Sequence, residues 1–418
     1  MSGLLRRVPP AELNGNRPAS FGPDEAKVAA DIVEAVRHGG EPALRSHAEE
    51  FGDIERGRPL TVDREDLRAA YEELDPATRQ TLTRVHRRIE SFARAQREGL
   101  SDLTISIEGG QAGHRWIPVN SVGAYAPGGR YPLPSSVLMT VTPARVSGVT
   151  SVWVASPRPS QLTLAASWVA GADGLLAVGG AQAIAALAFG TVTPSADLIV
   201  GPGSKWVTAA KKYLFGEVGI DGLAGPSEIL VIADAHADAS LVAADLLAQA
   251  EHDVDAIPAL ITTSAELADR VDAELESQLI DLPTADVARS ALENGVCVIV
   301  ESLTRAAGVS DNLAPEHLAI HTDDPRAVAM QVRNYGSIFV GRSAAEAFAD
   351  YGAGPNHVLP TGGGARFSGG LSVMTFLKAS TWLAIDSPEP LIEDTTRMAR
   401  HEGLEAHARA ALGRSRST

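Results

Sequence analysis

The chain has 418 residues, 44% of them apolar and 21% charged, the balance of a globular protein too long for one ordinary core. A formal net charge of −16 argues against nucleic acid or an anionic membrane as partner, because their phosphates require a basic face. The single cysteine, Cys297, excludes an intrachain disulfide framework and a thiolate zinc cluster.

Residues 1–20, bearing Pro, Gly and Asn, read as an arm that needs a partner surface. The opening MSGLLRRVPP has no apolar run of signal-peptide length, and cytoplasm is the default expectation. From Asp24 the pattern turns helical, with Val28, Ile32, Val33 and Val36 at helical spacing. A second helical stretch, Arg64 to Arg97, is rich in Arg and Glu and reads as a solvated face. Between Pro118 and Pro226 short apolar runs alternate with small-residue segments. Val152–Val154, Leu175–Val178 and Leu198–Val200 are each followed by a Gly or Pro turn, the grammar of βαβ units and a parallel sheet. Leu162–Phe189 is the most apolar stretch, but Asp173, Gln182 and its glycines suit buried helix and loop rather than a membrane span.

Further buried strands are expected at Ile229–Ile232, Ala259–Ile261, Val296–Val300 and Ser337–Val340, with helices at about 238–251, 264–279 and 285–293 between them. The last 45 or so residues read as a charged helical extension. The pattern therefore predicts an α/β protein with two Rossmann-like units and parallel sheets, an N-terminal arm and a helical C-terminal tail. The expected boundaries are an arm at 1–20, a discontinuous α/β domain at 21–117 and 229–370, an inserted Rossmann-like domain at 118–228, and a tail at 371–418. No internal repeat is visible.

Glycine-bearing turns at Pro127-Gly128-Gly129, Gly179-Gly180, Gly201-Pro202-Gly203 and Gly225-Pro226 would let backbone N–H groups approach a phosphate, although none is a G-x-G-x-x-G fingerprint and loop punctuation explains them equally well. Gln249 and His252 stand at i and i+3 on an expected helix, where an amide oxygen and an imidazole can meet one ion; alone, a surface pair is the commoner outcome. Asp350 and His357 bracket a Gly- and Pro-rich loop, where Asp350 would display a ligand or cap a turn. Glu316 and His317 follow Pro315, which should hold Ala314 extended. Their side chains are expected to diverge and flank a substrate, the carboxylate activating water and the imidazole accepting an alcohol proton; a polar loop before a strand is the bland alternative. Glu402 and His407 lie in a charged tail where a solvated face is the ordinary reading. Cys297, among Val296, Val298, Ile299 and Val300, reads as buried and inert.

Taken together, these blocks resemble the histidinol dehydrogenase family: YAPGGRYPLPSSVLM from Tyr125, GGAQAIAALAFGT from Gly179, AGPSEILVIAD from Ala224, AADLLAQAEHD from Ala243, APEHL from Ala314, GPNHVLPTGG from Gly354 and EGLEAH from Glu402. The resemblance runs over almost the whole chain, weakest in the first 100 or so residues. It implies zinc ligands at Gln249, His252, Asp350 and His407. It implies an acid–base pair at Glu316 and His317, and substrate contacts at Ser227, His357 and Glu402 as well as at the ligands and His317. NAD contacts fall at Tyr125, Gln182 and Ser204. Two departures stand out: Ser204 replaces a usual asparagine, and Gly369–Lys378 replaces a segment that usually carries proline and paired aspartates. The implied reaction is the NAD-linked oxidation of L-histidinol to L-histidine through L-histidinaldehyde, with one Zn²⁺ per site and a homodimer that exchanges tails. A paralogous dehydrogenase of another small alcohol, such as a sulfonated diol, would want extra Arg or Lys at the pocket, whereas Glu402 suits a substrate ammonium. A non-catalytic metal- or nucleotide-binding protein on the same fold would have no need of the Glu316–His317 pair.

Overall fold

The computed structural model describes residues 3–13, 20–128 and 132–416. Parts of the expected arm, and Gly129, Arg130 and Tyr131 of the block that starts at Tyr125, lie outside the described residues.

Two six-stranded sheets carry the molecule. The first runs, in spatial order, Arg6–Arg7, Val296–Ile299, Ile257–Thr262, Glu228–Ala233, His317–His321 and Ser337–Val340, all parallel. The second runs Thr61–Val62, Gly174–Leu176, Ser151–Ala155, Ser121–Tyr125, Leu198–Val200 and Gly219–Ile220, parallel except for its first strand. Taking the five later strands of each sheet in chain order, both read 3-2-1-4-5, and each gains an N-terminal edge strand beside its third. The repeat is topological and has no counterpart in the sequence pattern. Strands buried on both faces need continuous apolar runs, which is why Ile229–Ile232 and Leu198–Val200 were readable.

The N-terminal helices, expected to group with 229–370, pack against helices of the second sheet. Helix Pro23–Glu50 packs on helices Gly180–Phe189 and Lys205–Leu214 of the second sheet, burying Val33, Val36 and Leu44. The charged stretch is two helices, Arg64–Glu72 and Pro76–Glu98, split where Asp75 caps the second and Pro76 opens it. They are not merely solvated: Leu67, Leu82 and Ile89 enter the core against helices Pro134–Ser147 and Gln161–Ala170.

The tail also departs from expectation. Strand Leu377–Ile385 pairs antiparallel with Gly110–Pro118, which pairs with Leu103–Ile107 in a third sheet. Only after it come helices Glu389–His401 and Glu405–Leu412. The unusual segment Gly369–Lys378 has a packing role, since Val373 and Phe376 are fully buried and the Val373 carbonyl accepts from Ser147 Oγ at 3.1 Å. Among the described residues no helix is long and apolar enough to cross a membrane. Cys297 is buried, accepts from Arg7 Nη1 at 2.8 Å, and has its thiol pushed up to about 11 by burial, as the inert reading requires.

One buried ion pair braces the second sheet's carboxyl edge. Lys211 Nζ bonds Asp221 Oδ1 and donates to the Gly201 carbonyl at 3.1 Å, while Asp221 Oδ2 accepts from Gly201 N at 2.6 Å. Gly201 itself has φ +107, and a Cβ there would fall 2.1 Å from the Tyr125 carbonyl oxygen. Lys211→Met strands the Asp221 carboxylate in a buried site, and we expect it to cost about 3–5 kcal/mol. A lowered urea midpoint at unchanged slope checks this; an unchanged midpoint would show that the pair does not brace the turn.

Candidate functional site

The residues singled out by sequence gather at the amino ends of strands Glu228–Ala233 and His317–His321. Helix Leu303–Leu313 ends on Ala314, which is left-handed at φ 54 rather than extended, with its N–H bonded to the Ser310 carbonyl at 2.7 Å. Pro315 disfavours right-handed helix at Ala314, and the left-handed cap is the alternative that turns the chain straight into the strand.

The Glu316 and His317 side chains converge instead of diverging. Glu228 N donates to Glu316 Oε2 at 2.9 Å, and the Glu228 carbonyl accepts from His317 Nδ1 at 3.1 Å. The backbone of one residue thus grips both, and Nδ1 lies 3.6 Å from Glu316 Oε2. A carbonyl can only accept, so the proton sits on Nδ1 and Nε2 is the atom free to exchange one. The His317 ring stacks on Phe339 with centroids 6.0 Å apart.

Beside this pair, helix Ala239–Ala250 delivers Gln249 at its end and His252 just beyond it. Helix Glu346–Asp350 delivers Asp350, whose Oδ2 is 3.7 Å from His252 Nε2. Candidate ligand atoms of His252, Glu346 and Asp350 all lie within 4.8 Å of one another. The loop after Asp350 turns His357 back, its Nδ1 3.1 Å from the Asp350 carbonyl and its Nε2 3.5 Å from Ser136 Oγ. Ser227 immediately precedes Glu228 and is half-buried.

Three residues were missed by sequence reading. Glu346 is 2% exposed and lies 3.8 Å from His317 Nδ1. Glu228, also buried, accepts from Gly362 N at 2.9 Å. Asp53 reaches the second sheet from the loop after the first long helix. Only the one-turn spacing of Glu346 and Asp350 signalled any of them.

Charge dominates the cluster. Burial alone would drive His317 neutral, but Glu316, Glu346 and Asp350 outweigh it and hold its pKa far above the usual range. Burial pushes the Glu346 carboxyl upward. Asp350 is lowered, because His252, His357 and His317 overcome its burial. His252 is raised by its bond to Asp350, and His357 is lowered by burial. An imidazole, an amide and a carboxylate form a mixed donor set of the kind that suits a borderline divalent ion, and carboxylates crowded this closely call for a cation. Within the chain, Gln249, His252 and Asp350 converge. Glu402 and His407 are exposed in the tail, and among the described residues no hydrogen bond or ion pair ties them to the cluster.

The expected dinucleotide residues line the carboxyl edge of the second sheet. Its topological switch point falls between Ser121–Tyr125 and Leu198–Val200, flanked by Tyr125 and by the turn that leads to Ser204. Ser204 is exposed at the start of helix Lys205–Leu214 with no side-chain capping bond. Tyr125 and Gln182 are buried: Gly180 N donates to the Tyr125 hydroxyl at 3.2 Å, and Gln182 Nε2 donates to Asp53 Oδ2 at 3.0 Å. Asp53 also accepts from Gly179 N at 2.9 Å, placing a carboxylate at the start of helix Gly180–Phe189.

The model of a family described as histidinol dehydrogenase matches residues 16–415. A Thermus thermophilus histidinol dehydrogenase is 46% identical over 400 residues, covering 94% of this chain and 95% of its own. One from Prochlorococcus marinus is 47% identical over 388 residues, covering 90% and 87%. The crystal structure of histidinol dehydrogenase from Elizabethkingia anophelis superposes with a TM-score of 0.93 at 30% identity, covering 100% of this chain and 99% of that one.

The electrostatics generate a stability test. Burial, aided by Glu316 and opposed by Gly362 N–H, pushes the Glu228 carboxyl up to about 7 from an ordinary 4.5. The folded chain therefore keeps a proton that the unfolded chain has released, and metal-free stability falls as pH rises between those values. The fall is about 3 kcal/mol. Glu228→Gln keeps an acceptor for Gly362 and lacks this loss. Urea unfolding in chelator should show the variant's advantage growing from pH 5 to pH 8; parallel profiles would reject the assignment.

Proposed function

The chain belongs to the histidinol dehydrogenase family, NAD-linked oxidoreductases of histidine biosynthesis, and we propose that it takes L-histidinol through L-histidinaldehyde to L-histidine with Glu316 and His317 as its acid–base pair. The observation that carries this reading is the grip of the Glu228 backbone on both side chains beside Gln249, His252 and Asp350.

In this reading Gln249, His252 and Asp350 hold one Zn²⁺, with the partner's His407 as the fourth ligand. Tyr125, Gln182 and Ser204 border the NAD. When bound, the ion supplies positive charge and orientation at the alcohol, and the nicotinamide supplies the hydride acceptor. Glu316, Glu346 and Asp350 hold His317 protonated in the metal-free chain; with a cation offsetting those carboxylates it would release its Nε2 proton, and Nε2 then takes the hydroxyl proton as hydride leaves the carbinol carbon. Glu316, with one oxygen fixed by Glu228 N–H, draws a proton from the water that adds to the aldehyde. After passing the alcohol proton to solvent, His317 deprotonates the hydrate as the second hydride leaves. Ser227, His357 and Glu402 contact the substrate, Glu402 offering a carboxylate to its ammonium. Retaining the aldehyde in one pocket keeps it from escaping. Cytoplasm suits an enzyme of free amino alcohols.

The exposed tail supports a homodimer in which Glu402 and His407 complete the other subunit's site. So does the exposure of Leu103, Ile105 and Leu383 on the third sheet.

Two measurements test this. Purified protein given L-histidinol should form two NADH per substrate, lose turnover on chelation and regain it with zinc; absence of turnover when zinc-loaded rejects this substrate. Separately, His317→Asn and His407→Asn should each be inactive, but mixed after dissociation they should recover about a quarter of parental activity, since half the dimers hold one intact site. A mixture that stays inactive, while each variant still dimerises, defeats tail exchange.

A further inference from the structure

The buried carboxylate of Glu346 has no role in the reading above, yet it touches both halves of the site. It is 2% exposed, and nothing in an apolar helix face explains a carboxylate there. Assigned by hydrogen bonding, the Gln249 side-chain nitrogen donates to Glu346 Oε1 at 2.5 Å and to Oε2 at 3.2 Å. Both carboxylate oxygens thus accept from the same amide, and the Gln249 oxygen is turned to the opposite side.

We propose that Glu346 is a positioning residue: it fixes the Gln249 amide so that its oxygen, not its nitrogen, faces the metal. The proposal rests on the reading of Gln249 as a ligand. An amide has two ends of almost equal shape, and only the oxygen has a lone pair to give. A free glutamine therefore presents the wrong end in part of its population. A carboxylate accepts and cannot donate, so it binds only the NH₂ end and selects one rotamer. Helix Glu346–Asp350 makes this economical in structure, since positions i and i+4 share a face and one turn carries both the positioner and the ligand Asp350. Glu346 Oε1 also lies 3.8 Å from His317 Nδ1, so the same side chain ties the ligand set to the base.

The test is zinc affinity, read by chelator competition on the full-length protein after metal stripping, for the parent, Glu346→Gln, Gln249→Ala and the double variant. Glu346→Gln keeps shape but can offer its own NH₂ to the amide, so zinc should bind about 10–100-fold more weakly. The double variant should bind no more weakly than Gln249→Ala, because Glu346 acts through Gln249. Parental affinity in Glu346→Gln overturns the proposal, and so do losses that multiply in the double variant, as for a direct ligand. If Gln249→Ala itself binds zinc like the parent, the ligand reading fails and this inference falls with it. Melting of the metal-free proteins verifies folding. Should Glu346→Gln not fold, Glu346→Asp, which keeps the charge but withdraws it by one methylene, should show the same pattern at smaller size.

Discussion

Carboxylates packed out of water must be neutralised, and that constraint organises this molecule's centre. Glu228, Glu316 and Glu346 are each less than a tenth exposed, and Asp350 stands beside them. Three imidazoles, His252, His317 and His357, are interleaved among them. The imidazoles do not suffice: Glu228 is pushed up to about 7 and Glu346 rises as well. A buried group whose charged form is disfavoured either takes up a proton or recruits a cation. The same crowding that weakens the metal-free fold is therefore what would favour a divalent ion in the cluster.

The site's position follows from how two copies of one topology meet. Open α/β sheets generally bind ligands beyond their carboxyl ends at the switch point. The second sheet's expected NAD contacts, Tyr125 and the turn that leads to Ser204, fall there. The first sheet differs: its cluster lies at the amino ends of the corresponding strands, while its carboxyl end is occupied by Asp234, whose oxygens accept from the His236 and Asp323 backbones. The loop from Asp350 to Gly362 bridges the two units. It reaches the helix after Tyr125 through Asn356, which donates to the Met139 carbonyl at 2.6 Å, and through His357, which meets Ser136. It reaches the first sheet through Gly362 and Glu228. In the proposed reaction a hydride passes from a substrate at one edge to a cofactor at the other, so the seam is where the two chemistries would touch.

How much of this was legible in sequence depends on range. The doubly buried strands announced themselves as unbroken apolar runs, and Cys297 among valines was readable as inert. Gln249 and His252 could be paired from helical spacing, and Glu316 with His317 from adjacency. Their convergence could not, because the clamp is the backbone of Glu228, 88 residues away and carrying no side-chain signature. Glu346 and Asp53 looked like ordinary surface acids, since burial of a charge depends on partners remote in the chain. The third sheet hid for another reason. Leu377–Ile385 is a largely exposed strand whose mixed polarity lacks a clean period of two, so charge-rich neighbours made the tail read as helix throughout, while Leu103–Ile107 alternates cleanly but is short and exposed. Ala314 was misjudged because proline excludes the right-handed helix without choosing between the remaining basins.

The count of donors bears on why a tail should be involved at all. Within one chain, Gln249, His252 and Asp350 give three candidate ligands, the number that leaves a metal an open position for substrate. In the proposed dimer His407 adds a fourth, and Glu402 arrives on the same tail. A saturated four-ligand ion holds its substrate by expanding its coordination, which favours a chelating molecule that brings two donors over a simple alcohol with one. An amino alcohol bearing an imidazole is such a molecule. Within the proposed reaction, the exchanged tail is therefore a source of selectivity as well as affinity, because the ligand that closes the metal and the carboxylate that meets the ammonium come from a single segment.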